Sequence, residues 1–162
     1  MKGKFIKLIF IFLFINGKIF CQTPAQTIPD FTFYNLDKTP FTKKNINLTK
    51  KVFFMFFDAT CDHCQRAMAY IGEHYSVFKK VTMYLVTLDD IGTMNSFMAK
   101  YGAKLKDKKN VTLLHDKQNM FITKFMPRKY PSMLLYSTQK KLLNYEDSDE
   151  GVINFFKFIN TK

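Results

Sequence analysis

Cys61-Asp62-His63-Cys64 sets two thiols two residues apart, directly behind the apolar run Val52–Phe57. At a strand-to-helix junction such a pair can close and reopen a disulfide with little backbone movement. The first thiol falls where unpaired helix N–H groups and the macrodipole favour a thiolate, the form that attacks another disulfide. Zinc half-sites and static disulfides share this spacing. Zinc wants four ligands, however, and no second CxxC or HxxxH is present to complete the shell. A loop closed over two intervening residues restrains the unfolded chain too little to act as a structural staple. Redox exchange is the expected chemistry, with Cys61 as nucleophile and Cys64, one helical turn deeper, as the resolving thiol. His63, as imidazolium, would stabilise the Cys61 thiolate. Asp62 carries the opposite sign beside the same sulfur, so the net direction stays open.

The elements that must hold this pair are readable from periodicity. Val52–Phe57 is apolar without alternation, as in a strand buried on both faces of a sheet. Met68, Ile71, Tyr75 and Phe78 recur at three- and four-residue spacings and predict an amphipathic helix from about 62 to 78. Val81–Thr87 reads as a second buried strand, Met94–Tyr101 as a helix stopped by Gly102, Val111–Leu114 as a short strand and Asn119–Phe125 as a short helix. Met133–Tyr136 and Leu142–Tyr145, joined by the polar Ser137–Lys141, form a hairpin signal. Gly151–Ile159 closes the chain as a helix. Ahead of the core, residues 22–29 read as a linker, Phe31–Tyr34 as an edge strand and Asn35–Pro40 as a turn. Strands alternating with helices, then a hairpin and a last helix, predict an α/β sandwich around a mixed sheet.

The N-terminus reads as an export signal over residues 1–21. Lys2, Lys4 and Lys7 precede the unbroken apolar stretch Leu8–Ile15, which is too short for the roughly 20 residues of a membrane span. Lys18, Ile19 and Phe20 fit a cleavage region poorly, so an uncleaved anchor is the minor alternative. Bulky Phe20 argues against lipidation at Cys21. Removing residues 1–21 takes away four lysines and no acid, which lowers the formal charge from +12 to +8. It also leaves Cys61 and Cys64 as the remaining cysteines. The densest basic run, Lys104–Lys109, reads as a solvated loop that an acidic partner or lipid headgroups could touch. No nucleic-acid motif accompanies it. His74 and His115 read as surface or satisfied core residues, and the nine methionines as core filler beside nineteen phenylalanines.

Four stretches together resemble the thioredoxin fold, and within it the exported TlpA/ResA-like branch of the redoxin (AhpC/TSA-like) superfamily. They are Ile28-Pro29-Asp30-Phe31-Thr32-Phe33 with Leu36-Asp37, Val52–Phe57 entering Cys61-x-x-Cys64, Val111–Asp116, and Tyr130-Pro131-Ser132-Met133-Leu134-Leu135. The resemblance spans about residues 28–160. It implies a three-layer α/β sandwich with a central mixed sheet and flanking helices over residues 30–162. It implies a thiol–disulfide oxidoreductase, periplasmic in a Gram-negative bacterium, that needs no cofactor or metal beyond the Cys61–Cys64 disulfide. Cysteine-containing protein substrates and a membrane or soluble redox partner would be its partners. Pro131 would hold a cis bond facing the disulfide, with the Tyr130 backbone and Thr60 beside the substrate. The departures are Thr60 where an aromatic residue is usual, Met55 where many relatives bury an acid, and Asp58 where peroxiredoxins carry Thr. The last disfavours peroxidase activity. A non-catalytic or metal-binding module that uses the Pro131 groove to hold a partner is the alternative.

Overall fold

The computed structural model describes residues 23–161. The expected signal over 1–21 lies outside the described residues, Cys21 included. Seven strands form one sheet: β1 (Thr32–Tyr34), β2 (Pro40–Thr42), β3 (Val52–Phe56), β4 (Thr82–Thr87), β5 (Val111–His115), β6 (Ser132–Tyr136) and β7 (Leu142–Glu146). Their spatial order is β2-β1-β5-β4-β3-β6-β7. β3, β4 and β5 run parallel, and the remaining neighbours pair antiparallel, so the sheet is mixed as expected. Among the described residues, four helices accompany it: α1 (Asp62–Glu73), α2 (Tyr75–Phe78), α3 (Ile91–Lys100) and α4 (Phe155–Asn160). Among the described residues, no helix is long and apolar enough to cross a membrane.

The period of two along β3 divides the core. Phe53, Met55 and Phe57 face one cluster with Met68 and Ile71 of α1, Phe97 of α3 and Phe155 of α4. Val52, Phe54 and Phe56 face a second cluster with Phe31, Phe33, Phe121 and Phe125. Burying such side chains is worth about 1.5–3 kcal/mol each. The three longer helices thus share one face of the sheet. The other face is covered by aromatic rings from the N-terminal segment and from a π-helical turn, Phe121–Phe125. Phe56 stacks on Phe121 with ring centroids 4.4 Å apart, and Phe125 contacts Phe31, Phe33, Phe54 and Phe56.

Four local expectations are corrected. The strand read at Phe31–Tyr34 is internal, because β2 adds outside it and becomes the edge. Pro40 opens β2, and an edge strand tolerates its missing donor. The long helix read from 62 to 78 breaks at His74, whose ψ of 27° leaves the helical region before α2 begins. The closing helix begins as the 3-10 turn Glu150–Asn154 before α4. Residues 25–28 do not hang free as a linker. Ala25 N–H donates to the Phe125 carbonyl at 3.0 Å, Ile28 N–H to that of Lys140 at 3.0 Å, and the Tyr136 hydroxyl to that of Ala25 at 2.9 Å.

Candidate active site

β3 delivers the chain to the C-terminal end of the parallel strands, where residues 58–61 turn into α1. Two carboxylates pin this turn. Asp58 Oδ1 accepts from the Thr60 amide at 2.7 Å and the Thr60 hydroxyl at 2.6 Å. Asp89, in the loop after β4, accepts from the Ala59 amide at 2.9 Å and the Thr87 hydroxyl at 2.7 Å. Thr60 is exposed and takes the surface position ahead of the first cysteine.

Cys61 is the N-cap of α1. Its sulfur accepts from the Cys64 amide at 3.3 Å, so one of the helix's orphan donors points at it. Both cysteines are free thiols, Cys61 partly exposed and Cys64 fully buried. Burial pushes the Cys64 thiol well above the usual thiol range. The adjacent Cys61 sulfur and the Asp58 charge reinforce that shift, and a hydrogen bond from the Asp58 backbone opposes it. Strand alternation would set Asp58 on the face away from Cys64. β3 ends at Phe56, however, so alternation no longer governs Asp58 and its charge reaches the buried thiol. Met55, on the helix side of the strand, packs in the same cluster as Cys64.

His63 projects from the first turn of α1 and is engaged by two partners. Its Nδ1 lies 2.5 Å from Asp149 Oδ1 and 2.8 Å from Arg66 Nη2. Arg66 donates to the other Asp149 oxygen at 2.5 Å. Asp149 can only accept in this pair, so the bond takes a proton on Nδ1, and with that proton in place the approach of Arg66 Nη2 is a close contact of two donors rather than a second hydrogen bond. Burial of Asp149 favours its neutral form, but the hydrogen bonds from Arg66 and His63 outweigh it and hold the carboxyl down at about 2. His63, Asp149 and Glu150 also bring ligand atoms within 4.8 Å of one another. Arg66 lies against both His63 and Asp149, and its positive charge opposes a cation on those two residues.

The segment before β6 lies on the other side of the turn into Cys61. The β3–β6 register pairs Phe56 with Ser132, which sets buried Pro131 beside Phe57, four residues ahead of Cys61. The Tyr130–Pro131 bond is cis. The Ser132 hydroxyl donates to the Lys129 carbonyl at 2.7 Å and meets the Tyr145 hydroxyl at 2.9 Å, while the Arg128 amide donates to Tyr145 at 3.0 Å. Burial raises the Tyr130 phenol well above its usual range, and the charges of Asp58, Asp116 and Asp89 add to that shift. A cleft of about 320 Å³ opens beside Tyr130, lined by Phe121, Ile122 and Arg128 among others. Of these, Ile122 is an exposed apolar side chain; Met126, also exposed, is held in the left-handed region at φ 50° just before Pro127.

The structure therefore gathers Cys61, Cys64, Thr60, Tyr130 and Pro131 around one end of the sheet and turns His63 toward Asp149. Asp89, Arg66 and Asp149 were not legible as site residues. Arg66, one turn after His63, carried the sole local signal.

The AhpC/TSA family model matches residues 24–156. The chain belongs to the AhpC/TSA family. No relative among curated proteins matches it by sequence. Among solved structures, it is similar to the thioredoxin domain of a thiol-disulfide oxidoreductase from Bacteroides vulgatus, at 19% identity and a TM-score of 0.65 over 85% of this chain and 99% of that one. It is similar to a peroxidoxin, BcpB, from Mycobacterium tuberculosis, at 15% identity and a TM-score of 0.65 over 84% and 94%. A secreted disulfide oxidoreductase from the same organism matches at 19% identity and a TM-score of 0.59 over 79% and 95%. At these identities the likeness establishes the thioredoxin-like fold of this AhpC/TSA member.

Proposed function

We propose that this protein is an exported thiol–disulfide oxidoreductase that exchanges disulfides with cysteine-containing protein substrates through Cys61 and Cys64. One observation carries the reading: the asymmetry of the two sulfurs. Cys61 is accessible and faces a helix N–H, whereas Cys64 is buried and kept protonated. The Cys61 thiolate attacks a substrate disulfide. A new S–S bond forms, the old one breaks, and one substrate sulfur leaves as a thiolate. Cys64 then loses its proton and attacks the Cys61 sulfur, which closes the Cys61–Cys64 disulfide and releases the second substrate thiol. Two electrons have passed to the substrate, and the reverse sequence oxidises it. A membrane or soluble redox partner resets the pair. Thr60, next to Cys61 in the chain, and Tyr130, next to the cis proline, would contact the substrate chain, with Pro131 behind them. The basic residues 2–7 and the apolar run Leu8–Ile15 support export.

The test uses both single variants. Cys61→Ser should abolish exchange with a protein disulfide. Cys64→Ser should accumulate mixed disulfides that mass spectrometry locates on Cys61. Faster alkylation of Cys64 than of Cys61 in the reduced native protein would overturn the roles. The intact mass of the same native preparation reads export, with a start near Gln22 for a cleaved signal and Met1 retained for an anchor.

A further inference from the structure

β3, β4 and β5 all begin at the end of the sheet opposite the redox turn, and lysines precede each of them. Lys50 and Lys51 enter β3, Lys79 and Lys80 come before β4, and Lys108 and Lys109 before β5. A pocket of about 290 Å³ lies between these entries, with the exposed Lys50, Lys79 and Lys109 on its wall beside Asn47, Tyr75 and Asn110. Its floor is a fixed network. Asn110 Nδ2 donates to the carbonyls of Phe78 at 3.1 Å and Val81 at 2.9 Å, and Asn110 Oδ1 accepts from the Tyr75 hydroxyl at 2.6 Å. The Asn47 amide donates to the Tyr84 hydroxyl at 3.0 Å.

The charge here is not neutralised. Among the described residues, none of the ion pairs involves Lys50, Lys79 or Lys109. Lys51 and Lys80 are turned to the C-terminal end of α4, where Lys51 Nζ reaches the Phe158 and Thr161 carbonyls at 2.6 Å and Lys80 Nζ reaches Asn160 Oδ1 at 2.6 Å. Lys108 lies over the Tyr75 ring at 5.0 Å. These three add positive potential without filling the pocket. Asp107 is the one acid within the run 104–109. Ammonium groups that share a concave wall repel one another, and a multiply charged anion seated among them removes that repulsion. Lysine binds phosphate as a compact, mobile point charge with three donors.

We propose that this pocket binds a phosphate-class anion, supplied by a free phosphorylated small molecule or by a lipid headgroup. It lies at the far end of the sheet from Cys61, so occupancy does not depend on the redox reading. The experiment titrates the purified protein with inorganic pyrophosphate at low salt by calorimetry. In parallel, the protein is floated with phosphatidylglycerol–phosphatidylcholine vesicles and with phosphatidylcholine vesicles alone. A pocket variant carries Lys50→Gln, Lys79→Gln and Lys109→Gln. A control of equal charge carries Lys117→Gln, Lys124→Gln and Lys141→Gln. All substituted lysines except those in the pocket wall lie elsewhere on the surface, and thermal melts and thiol exchange verify that both variants fold. The pocket variant should weaken pyrophosphate binding by about tenfold or more while the control retains it, which assigns a free anion. The same contrast seen with anionic vesicles alone assigns a lipid headgroup. Equal losses in the two variants, or no binding of either probe by the parent protein, would overturn the proposal.

Discussion

Asp149 receives α1 on both of its oxygens, Arg66 on one and His63 on the other, and its side chain is only 11% exposed. Cys61, His63 and Cys64 could be singled out in the sequence because the motif is contiguous. Asp149 stands 86 residues from His63, and nothing local in the sequence marks it as their partner. The electrostatics at the start of α1 are therefore set by a residue from the far end of the chain. Its titration gives a direct check. A carboxyl held at about 2 when folded, against roughly 4 when unfolded, adds stability that is complete above pH 4 and is lost as pH falls through 2. Asp149→Asn should therefore lower the urea midpoint at neutral pH, and the gap to the parent should close between about pH 4 and pH 2. Parallel midpoint curves across that window would show that the paired carboxylate contributes nothing.

At the scale of elements, the strands with strong patterns were legible almost to the residue. β3, β4 and the β6–β7 hairpin have apolar side chains on both faces or an unmistakable turn. The failures share a cause. β2 is three residues long and starts with Pro40, and the break at His74 interrupts a hydrophobic period that continues to Phe78. In both places tertiary packing overrides local propensity. The turn into Cys61 is also a tertiary product, because its Ala59 amide is satisfied by Asp89 from the β4–α3 loop. Asp89→Ala removes that acceptor and leaves the buried Thr87 O–H without the carboxylate it donates to, although its oxygen still accepts from the residue 89 amide, at a cost of about 1–3 kcal/mol. Amide exchange at Ala59 should quicken by about tenfold for each 1.4 kcal/mol lost locally. Exchange as slow as in the parent would mean that the turn holds itself without Asp89.

The whole molecule solves a packing problem that the pattern posed without answering. A sheet apolar on both faces needs two covers, yet α1, α3 and α4 all lie on one side. The second cover is assembled from pieces that look irregular in sequence: residues 25–33, β2 and the π-helical turn. Phenylalanine makes this workable, since a few large rings fill the space that a helix would otherwise occupy. The segment before β1 read as a linker because its partners, Phe125, Tyr136 and Lys140, lie about a hundred residues away. Two variants measure what it contributes. Ile28 is fully buried against the aromatic layer, and Ile28→Ala should destabilise the protein by about 2–5 kcal/mol. Tyr136→Phe keeps the ring and leaves the Ala25 carbonyl without its donor, so it should cost about 1–3 kcal/mol. Ala25 and Ile28 sit on one short segment, so the two losses should fall short of additive in the double variant once the segment detaches. Denaturant midpoints of the three variants supply the measurement. A change below about 0.5 kcal/mol for Ile28→Ala, the range of an ordinary surface substitution, would return this segment to the status of a linker.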